Sequence, residues 1–320
     1  MSTEGQAGYS LQGKRVWVAG HRGMAGSAIS RRLARENCEL VTASRQELNL
    51  LHQADVQKWL SAAKVDAIFL AAAKVGGILA NSTKPAEFIY ENLMIEANVI
   101  HSAWQSGVEK LLFLGSSCIF PRNSAQPMKE EMLLQGELEP TNESYAIAKI
   151  AGIKMCEAYR RQYGCDFISV MPTNLFGPGD RYDAAGGHVV AALTMKIHAA
   201  KVNHQQQVVL WGSGKPLREF LYSEDLGDAC VFAMKNYSGS GFLNVGTGKE
   251  MSIRELAERI AGVIGWEGEF VYDASKPDGM PRKVMDVRRM KELGWTAPTK
   301  FNDGMRDAYK WYLEHISAKP

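Results

Sequence analysis

Several features of exported, metal-binding or nucleic-acid-binding proteins are missing from this sequence. The five cysteines, at 38, 118, 156, 165 and 230, are odd in number, widely spaced and form no C-x-x-C pair, which favours reduced thiols over disulfides or structural zinc. No apolar run approaches the roughly 20 residues that span a bilayer, and no secretion signal is visible. The net charge of +2 gives no sign of a nucleic-acid partner. These absences predict a cytoplasmic protein without a metal, a membrane or a nucleic acid as partner.

Short apolar runs alternate with helical patterns through the first half of the 320-residue chain. The runs are mostly apolar on both faces, as buried parallel strands are, and occupy residues 15–19, 39–43, 67–71, 110–114 and 167–171. Helical patterns lie between or beside them at 24–36, 53–63, 85–106 and 144–163. Such alternation predicts βαβ units and therefore an α/β fold, with a Rossmann-type parallel sheet and helices on both faces.

After Pro172 the pattern loosens. Further strands are predicted at 207–211 and 242–245, and further helices at 189–201, 224–235 and 253–264, the last two capped by Ser223 and Ser252. We expect a Rossmann domain over 13–175 with a returning segment at about 207–240. Residues 176–206 and 241–320 are then expected to form a smaller, interleaved α/β substrate domain.

A glycine motif, Gly20-His-Arg-Gly23-Met-Ala-Gly26, follows the first predicted strand and opens the first predicted helix. In that context backbone N–H groups and the helix N-terminus can hold a pyrophosphate. Gly20 would allow the tight turn, Gly23 the approach of the phosphate, and Gly26 the packing of the helix on the sheet. A plain glycine turn is the alternative interpretation.

The end of the second predicted strand indicates which dinucleotide is bound. NAD-binding versions usually place an acidic residue there, whereas this chain has Thr42-Ala43-Ser44-Arg45 and no carboxylate before Glu47. Arg45 and Arg22 could contact a 2′-phosphate, to which Ser44 could donate. The segment therefore predicts NADP(H) rather than NAD. The alternative interpretation is that Arg45 is a solvated surface residue without a role in cofactor binding.

Tyr145 and Lys149 lie one turn apart on a predicted helix and share a face. An ammonium near a phenol lowers the pKa of the phenol, and such a tyrosine can exchange a proton with a carbinol oxygen during hydride transfer. Ser116 ends a predicted buried strand, where active sites of open α/β sheets are found, and could hydrogen-bond a substrate carbonyl. The three residues predict a reductase or epimerase.

The glycine loop, Ser116 and Tyr145-x-x-x-Lys149, in that order, resemble the extended short-chain dehydrogenase/reductase superfamily. Seven longer segments sharpen the resemblance to the GDP-L-fucose synthase family: 20–26, 70–77, 115–121, 139–149, 172–177, 211–220 and 276–283. The resemblance implies epimerisation of GDP-4-keto-6-deoxy-D-mannose at C3 and C5, followed by NADPH-dependent reduction at C4. It also implies a homodimer built through helices 85–106 and 144–163.

The resemblance assigns roles residue by residue. Cys118 and His188 resemble the base and acid of epimerisation, beside Ser116, Tyr145 and Lys149. The implied cofactor contacts are Gly20, His21, Arg22, Gly23, Met24, Ala25, Gly26, Arg45, Gln46, Glu47, Leu48, Asn49, Leu50, Leu114, Gly115, Ser116, Ser117, Lys149, Pro172, Thr173, Asn174, Leu175 and His188. The implied substrate contacts are Lys196, where the family often has arginine, Trp211, Arg218, Asp278 and Lys283.

Other interpretations of the same residues stay open. Without the resemblance, Cys118 reads as a small buried apolar residue and His188 as a loop residue. A related GDP-sugar epimerase or reductase, of the GDP-colitose or GDP-6-deoxy-talose type, would share most motifs. Cys118 with His188 favours the dual activity, because a pure C4 reductase needs neither. A non-catalytic NADP sensor would have no use for Ser116, Tyr145 and Lys149.

Overall fold

The computed structural model describes residues 8–183, 187–276 and 278–317. The strands in this part of the chain are β1 Arg15–Ala19, β2 Glu39–Val41, β3 Ala67–Leu70, β4 Lys110–Leu114, β5 Asp166–Pro172, β6 Asn174–Phe176, β7 Gln207–Trp211, β8 Leu217–Tyr222, β9 Leu243–Val245, β10 Glu250–Ser252, β11 Glu269–Asp273 and β12 Arg282–Lys283. The α-helices are α1 Met24–Leu33, α2 Gln53–Ala63, α3 Ile78–Thr83, α4 Pro85–Gln105, α5 Glu143–Tyr163, α6 Val189–Val202, α7 Ser223–Asn236, α8 Ile253–Ile264, α9 Arg288–Glu292 and α10 Phe301–Tyr312.

Six parallel strands form the main sheet in the order β2-β1-β3-β4-β5-β9. Side chains alternate between its two faces, so that Trp17 packs toward one buried cluster while Val16 and Val18 pack toward another. On one side α4 packs against α2 and α5, and on the other α1 packs against α7. The predicted Rossmann-type sheet with helices on both faces is therefore confirmed.

The edge strand β2 differs from its prediction. It ends at Val41 rather than residue 43, and Glu39 and Leu40 are exposed. A strand at the edge of a sheet has a neighbour on one side only, so its faces are less covered than those of a central strand.

A smaller region is built from the later strands. β8 pairs with β6, β10 and β12, and β7 pairs with β11. A third buried cluster, which includes Ile197, Leu210, Phe220, Leu256 and Met305, holds α6, α8 and α10 on these strands.

The segment that returns to the main sheet is the predicted one only in part, since α7 lies within 207–240 whereas β9 lies beyond it. Residues 207–211, placed in the returning segment at about 207–240, instead pair with β11, whereas α7 and β9 pack on the main sheet. The burial patterns give the reason. β7 is buried only at alternate residues, as in a small two-stranded sheet, while β9 is buried throughout.

Several local predictions can also be compared with the structure. Ser252 caps α8, since its hydroxyl accepts a hydrogen bond from the Glu255 backbone N–H at 3.0 Å. Ser223 does not cap α7: it is the first helical residue, and Tyr222 occupies the cap position. All five cysteines are free. In the part of the chain that the structure describes, no helix is long and apolar enough to cross a bilayer.

Candidate active site

A cavity of about 1240 Å³ opens at the carboxyl ends of the main-sheet strands. Its walls come from the segments that directly follow β1, β2, β3, β4 and β5, completed by residues of β8 and of 278–283. Ligands of open α/β sheets bind at this edge, because the loops that leave parallel strands diverge there and form a crevice.

The glycine loop is shaped by contacts that a larger residue would not permit. Gly20 has a φ of +87°, and an added Cβ would lie 2.7 Å from the Ala72 backbone. An added Cβ at Gly26 would lie 2.2 Å from the Gly20 carbonyl oxygen. Gly26 therefore makes room for the backbone of the glycine loop, and not for the sheet as the sequence predicted. Gly23 precedes α1, whose first turn carries no acidic residue. Free N–H groups at this helix end fit a pyrophosphate.

The loops after β1 and β2 present positive charge to the cavity. Arg22 and Arg45 are exposed and, with Ser44, line the wall. Glu47 does not line it, although it was included among the predicted cofactor contacts. Its carboxylate accepts a hydrogen bond from the Ser44 backbone N–H at 2.7 Å, and this contact lowers the pKa of Glu47. The acid nearest to Arg45 in sequence is thus turned away from the cavity.

Ser116 lies close to two of the predicted catalytic groups. Ser116, Cys118 and Tyr145 line the same cavity wall. Burial raises the pKa of Cys118, and the Lys283 charge, the Ser116 hydroxyl and the Lys149 charge partly offset that rise. Burial also raises the pKa of Tyr145 well above its usual range, and the Ser116 hydroxyl partly offsets that rise too. A thiol, a hydroxyl and a phenol therefore share one part of the cavity wall.

Lys149 is held on several sides. Its Nζ lies 3.1 Å from the Leu114 carbonyl oxygen and 3.1 Å from Glu96 Oε1. The Phe113 ring centroid is 4.7 Å from the same Nζ, and the Tyr145 ring centroid is 5.9 Å away. Lys149 lies beside Tyr145, as the Tyr145-x-x-x-Lys149 spacing predicts, but the pKa of the phenol is raised, chiefly by burial.

His188 comes directly before α6 and faces the same cavity. Its Nδ1 lies 3.5 Å from Asp180 Oδ1, and this carboxylate raises the pKa of His188. Asp180 is buried, whereas 48% of the His188 side chain is exposed. A histidine that holds its proton more tightly and stays accessible is suited to donate a proton to a ligand.

The predicted substrate residues divide into two groups. Arg218, Asp278 and Lys283 line the cavity, and Arg218 and Lys283 are register partners on β8 and β12. Lys196 and Trp211 do not line it. Trp211 lies on the exposed face of β7, with 65% of its surface accessible and the Lys196 Nζ 5.0 Å from its ring centroid. Contact of these two residues with substrate stays a prediction.

The remaining predicted cofactor residues are brought together as expected. The cavity wall contains His21, Met24, Ala25, Gln46, Leu48, Asn49, Leu50, Leu114, Gly115, Ser117, Pro172, Thr173, Asn174 and Leu175.

Some residues of the site were not found from the sequence. Lys74 and Asn81 line the cavity after β3, and Glu139 and Asn142 line it before α5. Lys74 lies in the loop that follows the buried strand β3, so the rule that locates Ser116 would also have found Lys74. Glu96 carried no signal, because it lies inside a long helical pattern and its contact with Lys149 arises from the packing of α4 on α5.

Fold and site together define a Rossmann-type enzyme with a serine, tyrosine and lysine at the sheet edge. Residues 16–246 match the model of the NAD dependent epimerase/dehydratase family, and the chain belongs to this family. Within it, the chain is 55% identical to GDP-L-fucose synthase of Sinorhizobium fredii, over 97% of this chain and 98% of that protein. It is 54% identical to GDP-L-fucose synthase 1 of Arabidopsis thaliana, over 94% of each chain.

A solved structure agrees with these relatives. A GDP-L-fucose synthetase from Naegleria fowleri bound to NADP is 27% identical and covers 98% of each chain, with a TM-score of 0.90. The sequence identities above place this chain in the group of the GDP-L-fucose synthases.

Proposed function

We propose that this chain converts GDP-4-keto-6-deoxy-D-mannose into GDP-L-fucose, with NADPH as the reductant. The observation that carries the proposal is the shared cavity wall of Ser116, Cys118 and Tyr145, where the Ser116 hydroxyl lowers the pKa of both the thiol and the phenol. One ketone held at Ser116 is then within reach of a base for epimerisation and of an acid for reduction. Relatives more than 50% identical over nearly the whole chain support the same activity.

The residues around the glycine loop fit NADPH. The helix N-terminus at Gly23 would hold the pyrophosphate, and Arg22 and Arg45 would hold the 2′-phosphate. When bound, this cofactor supplies the hydride for the ketone carbon. Lys149, which also lines the cavity, has an N–H donor left for a ribose hydroxyl, since an ammonium carries three donors and two face Leu114 and Glu96.

Epimerisation would use groups on two sides of the sugar. The proton on a carbon next to the ketone is acidic because the ketone oxygen takes up the electron pair. Cys118 as thiolate would remove this proton, Ser116 would donate a hydrogen bond to the developing oxyanion, and His188 would return a proton to the opposite face. Asp180 raises the pKa of His188, which favours the protonated imidazole that this step needs.

Reduction would use the same oxygen. As the ketone carbon becomes tetrahedral, its oxygen becomes a stronger base, and Tyr145 would transfer its phenolic proton to it. Burial keeps this phenol protonated, as an acid must be before the transfer. The Lys149 ammonium would stabilise the phenolate left behind.

We also propose two properties of the whole protein. A homodimer through α4 and α5 would cover apolar side chains that these helices expose, among them Tyr90, Ile147 and Tyr163. A cytoplasmic location suits five cysteines that are all free.

The test is incubation of the purified protein with NADPH and GDP-4-keto-6-deoxy-D-mannose, with the product identified by NMR. We expect GDP-L-fucose. A product reduced at C4 but unchanged at C3 and C5 would identify a simple reductase, and an absence of NADPH oxidation would refute the proposed activity.

A further inference from the structure

Glu96 is a buried carboxyl group within the helix pair α4 and α5. It is 1% exposed, and Oε1 lies 3.1 Å from the Nζ of Lys149, itself 2% exposed. Burial raises the pKa of Glu96, and the Lys149 ammonium counteracts part of that rise. A buried acid is costly to keep in a helix interface, so its position against a catalytic lysine calls for an explanation in terms of function.

The helix pair leaves room for this carboxylate. Gly152 lies on α5 one turn after Lys149, and an added Cβ there would come 2.8 Å from Glu96 Oε2 and 2.4 Å from the Phe113 ring. Glu96, Phe113 and the Leu114 carbonyl therefore surround the Lys149 ammonium from the interior side. These contacts limit the positions that the flexible lysine side chain can adopt next to Tyr145.

We propose that Glu96 is a positioning residue that fixes the Lys149 ammonium beside Tyr145 and, through its own negative charge, sets the pH at which Tyr145 loses its proton. The inference rests on the proposed function, because it gives Tyr145 the role of proton donor. Lys149 alone would favour the phenolate, and the carboxylate opposes that effect, so Tyr145 stays an acid over a wider range of pH.

The charges around these groups support this role for Glu96. Cys118 and Glu96 both raise the pKa of Tyr145. Among the described residues, the ionisable groups that interact with them are Lys149, Lys283 next to Cys118, and the buried thiol of Cys156, which faces Glu96 from α5. Both residues oppose formation of the Tyr145 phenolate. Glu96 does so from its contact with Lys149, and Cys118 does so from the cavity wall.

The charge is tested with Glu96→Gln, which keeps the shape and the oxygen acceptor but removes the negative charge. The reduction rate falls at high pH as Tyr145 loses its proton. We expect this fall to move to lower pH by about one unit, the lower end of the shift that a close charge produces. Glu130→Gln is the matched control, because Glu130 is a half-buried acid whose pKa is also raised by burial but lies outside the cavity wall, and its pH profile should match the wild type.

The position is tested with Glu96→Asp, which keeps the charge and shortens the side chain by one methylene. Its pH profile should resemble the wild type, while the plateau rate falls roughly tenfold because Lys149 is misplaced. A wild-type plateau in Glu96→Asp would overturn the positioning role, and this variant decides the matter if Glu96→Gln fails to fold.

A direct titration separates this inference from the proposed function. Ultraviolet absorbance follows tyrosinate formation without substrate or cofactor, and the signal of Tyr145 is the difference between each protein and the same protein carrying Tyr145→Phe. We expect Tyr145 to titrate at lower pH in Glu96→Gln than in the wild type. An unshifted titration in the folded variant refutes the role of the charge, whereas wild-type protein inactive on the sugar nucleotide refutes the proposed function alone.

Discussion

Replacement of Cys118 with serine should separate epimerisation from reduction. The substitution keeps nearly the same size in a site where only 8% of the residue is exposed. It replaces a thiol with a hydroxyl, whose pKa lies far above the working pH. We expect incorporation of solvent deuterium at C3 and C5 to fall by about 10²-fold or more, the usual effect of losing a general base.

The structure sets how the wild-type base should behave. A free thiol has a pKa of about 8.5, so at pH 7 only about 3% is thiolate. Burial raises the pKa of Cys118 further, and Lys283, Ser116 and Lys149 lower it in part. Thiolate is present above that pKa and lost below it, so deuterium incorporation should rise above pH 7 with the thiolate fraction for as long as His188 keeps its proton.

The assay is reaction in D₂O followed by mass spectrometry of the product. Cys156→Ser is the matched control: Cys156 is also buried, with its pKa raised to about 12, but it lies outside the cavity wall. This control should incorporate deuterium like the wild type. Undiminished incorporation at both carbons in Cys118→Ser would show that another residue is the base.

Three further substitutions test the other roles. Arg45→Ala should lower kcat/KM for NADPH by roughly 10- to 100-fold, corresponding to about 1.5–3 kcal/mol for a hydrogen bond to a charged group, and leave NADH unchanged; equal use of both cofactors by the wild type would contradict the reasoning. Tyr145→Phe should reduce NADPH oxidation at least ~10²-fold while deuterium still enters through Cys118, and near-normal oxidation would exclude Tyr145 as the acid. Asp180→Asn removes the group that raises the pKa of His188, so the loss of deuterium incorporation at alkaline pH should begin at lower pH; an unmoved alkaline limb would argue against His188 as the acid.

The features predictable from the sequence are those set by local pattern. The five strands of the first half are apolar enough to be seen singly, and the glycine loop and Ser116 were located from the strands that they follow. Tyr145 and Lys149 lie on one helix, so the periodicity of the helix was enough to predict that their side chains are close together.

Features that depend on packing between distant segments were not predictable. The contact of Glu96 with Lys149 joins two helices, and a helix pattern does not reveal which of its polar residues faces inward. β12 is two residues long and carries no pattern of its own, yet it places Lys283 near Cys118. Trp211 was assigned to the substrate by resemblance, and the sequence did not show that the alternation of β7 leaves it exposed outside the cavity wall.

The pairing of β8 with β12 has a consequence for how the two ends of the substrate act on each other. It sets Arg218 next to Lys283, whose pKa is lowered chiefly by burial and further by the arginine charge. A diphosphate bound at Arg218 would relieve this repulsion, and Lys283 would then hold its proton more firmly beside the Cys118 thiol. The nucleotide would thus serve as an electrostatic activator. Its binding would lower the pKa of the Cys118 thiol, although the nucleotide does not contact the sugar carbon from which the thiolate takes the proton. A sugar without its nucleotide would then be turned over more slowly as well as bound more weakly.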